Sequence, residues 1–92
     1  MRSTTKRDFE LAQAVSELAA LLEYRGKRSE ASILRSEATS LLIGGTDRGR
    51  QESLQRDRIR GGVATAMALP LAPDEQAIAE RLAVRIQVAL RS

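Results

Sequence analysis

The apolar residues of this 92-residue chain recur at helical spacing. Leu11, Val15, Leu18 and Leu22 follow one another at intervals of 4, 3 and 4 residues. At 100° per residue they fall within about 60° of one another, forming one stripe of an amphipathic helix. Ala14, Ala19 and Leu21 widen that stripe. Thr5 stands as N-cap with Asp8 three residues on, a capping-box-like start. Gly26 suits the left-handed residue that closes a helix. A first helix is therefore expected over residues 5–25. Ala31, Leu34, Ala38 and Leu41, flanked by Leu42, repeat at 3, 4 and 3. They predict a second helix over 28–43, stopped by Gly44-Gly45. A connection this short makes antiparallel neighbours, so residues 5–43 read as an αα-hairpin.

A third helix is expected over 50–69, with Ile59, Val63, Ala66 and Met67 on one face. Leu54 lies about 140° off that face. Gly61-Gly62 falls inside the segment, and each glycine costs about 1 kcal/mol relative to alanine. The helix is thus read as kinked, late-starting or split, or as letting another backbone approach closely. Pro70 and Pro73 break the chain. Asp74 then serves as N-cap, or as a first-turn acid behind Pro73 at the first helical position. A fourth helix over 74–91 carries Ile78, Leu82, Ile86 and Ala89 as its stripe, with Val84, Val88 and Leu90 outside it. Apolar residues on more than one face point to burial between two neighbours or at a dimer interface. Nothing reads as a strand. The expectation is a single all-α domain over 1–92, a small four-helix arrangement built on the N-terminal hairpin.

Composition bears on how that domain holds together. Of the apolar residues, 14 are Ala against 12 Leu, 5 Ile and 4 Val, and the only aromatics are Phe9 and Tyr24. A chain of this length buries about 60–65% of its unfolded surface, and an alanine-rich core gains less per residue because apolar area sets the gain. Association into a homodimer or higher oligomer is expected to recover area. The apolar side chains assigned to it are Ile78, Leu82, Val84, Ile86, Val88 and Leu90.

The absence of cysteine and histidine removes disulfides, the main zinc and copper ligands, and the commonest general base and thiol nucleophile. "GGTDRG" has glycines but no following Lys-Ser/Thr and follows a helix, so it reads as a helix stop and loop. Glu23, Glu30 and Glu37, each seven residues apart, read as solvent-facing charges. No catalytic residue, cofactor or metal site is assigned. The start "MRSTTKRDFE" is basic but lacks an apolar region, and no 18-residue apolar run exists, so a cytoplasmic protein without a membrane helix is expected. The Arg-over-Lys bias, 13 to 2, fits a bacterial or phage source.

The text "LAALLEYRGKRSEASILRSEATSLL" resembles one tetratricopeptide-type repeat through Leu18, Ala19, Leu22, Gly26, Ala31 and Ala38. The resemblance covers about a quarter of the chain, once. It implies close packing of two helices and, where hairpins stack, a concave surface for peptides or protein segments. Arg35 stands where that family prefers a bulky aromatic, and no second repeat follows.

The segment "GGTDRGRQESLQRDRIRGG" at 44–62 carries five arginines. Arg48, Arg50, Arg56 and Arg60 make a candidate phosphate-contacting set, with Gln51 and Gln55 as base readers. Against this, Asp47, Glu52 and Asp57 leave the segment at net +2. Arg48, Glu52 and Arg56 form an ordinary i, i+4 charge ladder, and no aromatic is interleaved to stack on bases. The leading expectation is a non-enzymatic protein-interaction module, a small helical regulator, adaptor or inhibitor. Its candidate partner contacts are Tyr24, Arg48, Arg50, Arg56, Arg58 and Arg60, since Arg and Tyr are common interface anchors. The alternative is a small DNA- or RNA-binding regulator using 48–60. A lesser one is an oligomer that sequesters an anionic nucleotide, through a faint likeness of "RDRIRGG" to small phage proteins of that kind.

Overall fold

Gly26 has a backbone φ of 85°, in the left-handed region that a Cβ disfavours. It closes the first helix, α1 (Lys6–Tyr24). The Gly26 N–H donates to Glu23 O at 3.0 Å and the Lys27 N–H to Leu22 O at 2.8 Å. This pair of bonds is the Schellman closure. It delivers the chain directly into α2 (Arg28–Ile43). The remaining helices are α3 (Arg50–Ala68) and α4 (Pro73–Arg91). The computed structural model describes residues 6–43 and 50–91, and among these every regular element is helical. Thr5, expected as N-cap, and the Gly44-Gly45 stop lie outside the described residues.

Pro73 opens α4 at its first position, with Asp74 and Glu75 in the first turn. The Glu75 carboxylate accepts the Ala72 N–H at 3.0 Å, the backward half of a capping box. It also pairs with Arg25, tying the α1–α2 turn to the start of α4. At the other end, Arg7 Nε donates to Ala89 O at 2.8 Å, one of the carbonyls that the end of α4 leaves without a helical partner. Glu17 and Arg85 meet between these two points, at 3.4 Å. The three pairings run in opposite chain directions, so α1 and α4 are antiparallel.

α1 packs against all three other helices, most extensively against α2, while α2 and α4 do not touch. This explains the width of its buried face. Leu11, Ala12, Ala14, Val15, Leu18, Ala19 and Leu22 are all buried and span roughly 160° at helical pitch. Together they form the centre of a body of 43 × 23 × 17 Å. No helix among the described residues is long and apolar enough to cross a membrane.

α3 runs unbroken through Gly61-Gly62. The helix is therefore not split at these glycines, and one of them lets another helix approach closely. A Cβ on Gly62 would lie 2.7 Å from both Leu34 methyl carbons, whereas one on Gly61 would meet nothing. Gly62 lets α3 settle directly on the buried Leu34 of α2. That contact, with Ile59 and Ala66 fully buried beside it, offsets the low helix propensity.

Three expected core assignments are corrected. Met67 and Ile78 are exposed, and Leu90 is buried. In α4 the buried face is Ala79, Leu82, Ala83, Ile86, Ala89 and Leu90, rotated from the expected stripe toward its alanines. Small side chains let helices approach closely, so Ala79 and Ala83 hold the contact that Ile78 was expected to hold.

Candidate protein-interaction surface

Between α3 and α4 the molecule is sparsely packed, about as sparsely as between α1 and α3. The cause lies in the residues. α3 is drawn onto α2 by Gly62, and toward α4 it presents Val63 and Ala64, with Arg60 beside them. Against them α4 presents Ile86, Gln87, Leu90 and Arg91. A cleft of about 510 Å³ lies between them. Val63, Ile86 and Leu90 form its floor, and Arg60, Gln87 and Arg91 its rim. Among the described residues that line it there is no carboxylate.

The central arginines are not gathered into one patch. Arg58 Nη1 donates to Glu37 Oε2 at 3.0 Å. Glu37 is buried, which corrects its reading as a solvent-facing charge. A buried carboxylate is tolerated because it is paired. Arg56 is half-buried and has an interaction of its own. Arg60 is exposed at the cleft. Arg48 lies outside the described residues, as do the side chains of Arg50 and Gln51, while Gln55 is half-buried. Arg58 and Arg60 thus serve different surfaces, as expected for residues two apart on a helix.

Tyr24 is 77% exposed at the end of α1, its ring 5.6 Å from the Arg25 guanidinium carbon. Next to it, Arg35 reaches Glu23 at 2.6 Å. The hydrogen bond and charge of Arg35 hold the Glu23 carboxyl below its ordinary range. At the position where the tetratricopeptide pattern wants an aromatic, Arg35 therefore makes a cross-helix ion pair instead.

The apolar residues assigned to self-association divide. Leu82, Ile86 and Leu90 are buried in the chain's own core, so they present no surface to a second copy. Val84 (61% exposed), Val88 and Ile78 remain outside. Val84 and Val88 are one turn apart on the face opposite the core. They line a smaller groove of about 240 Å³ against α1, with Arg7, Glu10, Arg85 and Ala89. Arg91, Gln87 and Val63 at the α3–α4 cleft went unassigned at the level of sequence. The cleft arises from how far apart two helices sit, which no local pattern encodes.

Comparison with family models, with curated proteins and with solved structures gives no match.

Proposed function

We propose that this chain is a non-enzymatic protein-interaction module, a small helical regulator or adaptor built on the α1–α2 hairpin. It associates with a second copy and binds a partner protein. The observation that carries the reading is the outer face of α4. Val84 and Val88 stand exposed beside the α1 groove, in a chain whose alanine-rich core leaves it short of buried apolar area. Each is little more than half exposed, so covering it contributes about 1 kcal/mol, part of what a second copy must supply against the cost of association. The absence of His and Cys supports the non-enzymatic part of the reading. The distribution of Arg56, Arg58 and Arg60 over different surroundings favours protein contact over a continuous phosphate-tracking groove.

The test is sedimentation equilibrium over a wide concentration range. The intact chain should dimerise, and Val84→Glu/Val88→Glu should be monomeric with unchanged helix content. A chain that stays monomeric at every concentration removes the self-association reading. Titration with labelled duplex DNA and with single-stranded RNA addresses the nucleic-acid alternative. Phosphate binding through four arginines requires a log–log salt slope of roughly −3 to −4. A slope near zero, or no binding, leaves the protein-interaction reading standing.

A further inference from the structure

We infer that two copies of this chain pair antiparallel along the outer face of α4, with Asp74 of one copy beside Arg91 of the other. The inference rests on the reading that two copies associate through that face. It supplies the direction and register of the contact.

Spacing comes first. Asp74, Ala77, Arg81, Val84, Val88 and Arg91 follow one another along α4 at intervals of 3, 4, 3, 4 and 3. All six are exposed. At helical pitch they lie within roughly 100° of one another, opposite the buried face of the helix. Alternating steps of 3 and 4 define the seam along which two helices pair. From Asp74 to Arg91 the seam runs about 26 Å. A single helix pair of that length covers less than the roughly 800 Å² per partner of a standard interface, so the dimer is weak and depends on concentration.

Charge decides the direction. A twofold axis between Arg81 and Val84 lays the seam on itself in reverse. Asp74 then meets Arg91, Ala77 meets Val88 and Arg81 meets Val84. Each charged end faces its opposite, a small side chain faces a larger one, and the Arg81 stem lies on Val84 with its head in water. Asp74, Arg81 and Arg91 belong to none of the ion pairs among the described residues, so their charges are open to a second copy. A parallel pair in register sets Asp74 on Asp74, Arg81 on Arg81 and Arg91 on Arg91, and it aligns the helix dipoles unfavourably. Its one compensation is Glu80 beside Arg85, and Arg85 already pairs with Glu17. A helix of another protein requires no such symmetry. Opposite charges equidistant from the midpoint of one seam make that seam complementary to itself.

The chain has no cysteine, so introduced ones report direction. Ala77→Cys and Val88→Cys chains are mixed and oxidised at a concentration where sedimentation shows the dimer. The mixed 77–88 disulfide should exceed each homodimeric product about fivefold or more, since antiparallel pairing holds 77 about 16 Å along the axis from its own copy, beyond disulfide reach. Asp74→Arg and Arg91→Asp should each weaken self-association about tenfold or more. Mixing those two variants should restore it, because each then meets its opposite. The milder Asp74→Asn and Arg91→Gln should give smaller losses in the same direction, with circular dichroism checking that each variant folds. Predominant 77–77 and 88–88 products overturn the inference. Charge variants that associate as the intact chain does, or a mixture that stays weak while both variants are folded, overturn it as well. Those results leave the self-association reading standing. A chain that is monomeric at every concentration overturns both and passes the seam to a helix of another protein.

Discussion

The α1–α2 side and the α3–α4 side of this molecule are built from similar residues and packed differently. In the core, Leu22 and Leu34 on the α1–α2 side are at 0% exposure, while Val63 at the α3–α4 cleft retains 9% beside the fully buried Ile59, Ala66 and Ile86. A three-residue turn closed by Gly26 forces α1 and α2 together along their length. The α3–α4 connection carries no such closure, and Gly62 draws α3 toward α2 instead. Chain connectivity and one glycine decide which side is core and which is cleft. Stability should therefore reside on the first side and binding on the second.

The sharpest way to break that comparison is to truncate one side chain on each side. Leu34→Ala removes a fully buried leucine that α3 packs upon, and should cost about 3–4 kcal/mol. Val63→Ala at the cleft floor should cost about 1 kcal/mol, since part of its surface is already in water. Urea denaturation followed by far-ultraviolet circular dichroism measures both. A domain of this size has about 5–10 kcal/mol in total, so the leucine variant should lose a large fraction of it. Equal losses would mean that the two sides are equally packed.

The adjacent glycines give a second test, with opposite signs. Gly61→Ala adds a methyl that meets nothing and should stabilise by about 0.5–1 kcal/mol through helix propensity alone. Gly62→Ala drives a methyl into Leu34, which is itself enclosed, and should cost about 1–2 kcal/mol net of the same propensity gain. If both substitutions stabilise, α3 does not sit on Leu34 as closely as described.

The ion pairs grade the comparison more finely. Arg58→Ala strips the buried Glu37 of its guanidinium and should cost about 1–2 kcal/mol. Arg85→Ala, in the exposed Arg85–Glu17 pair, should cost about 0.5 kcal/mol or less. Thermal melts of the two single variants and of Glu37→Gln separate these effects. Comparable losses for Arg58→Ala and Arg85→Ala would place Glu37 in solvent.

Helices were legible in the sequence because their signals are local. Stripes at 3 and 4, Gly26 past one end and Pro73 at the start of another are written into neighbouring residues. Burial was less legible where small residues decide it. Ala79 and Ala83 outrank Ile78 in α4 because they admit the closest approach, although a reading weighted by hydrophobicity prefers isoleucine. Glu37 was misjudged for a related reason, since its burial depends on an arginine 21 residues away. Leu82, Ile86 and Leu90 were assigned to an interface because one helix with apolar residues on several faces does not show which face its own chain covers. The cleft was not legible at all, being a gap between helices rather than a residue pattern.

Acid gives the smallest handle on the same comparison. Glu23 and Arg35 meet across the α1–α2 turn at 2.6 Å, and the Arg35 hydrogen bond, followed by its charge, depresses the Glu23 titration below the ordinary 4.5. A carboxyl that titrates lower in the folded chain than in the unfolded one favours folding above its unfolded value. That contribution fades as the pH falls through the depressed folded value. Both groups are exposed, so the effect is small and salt-screened. Melting temperatures of the intact chain and of Glu23→Gln should therefore differ slightly near neutral pH in low salt. The difference should shrink as the pH drops from about 5 toward 3, and added salt should shrink it at any pH. A difference that persists at low pH would mean that Glu23 contributes through packing rather than charge. The closure of the α1–α2 turn would then rest on Gly26 and its two backbone bonds alone.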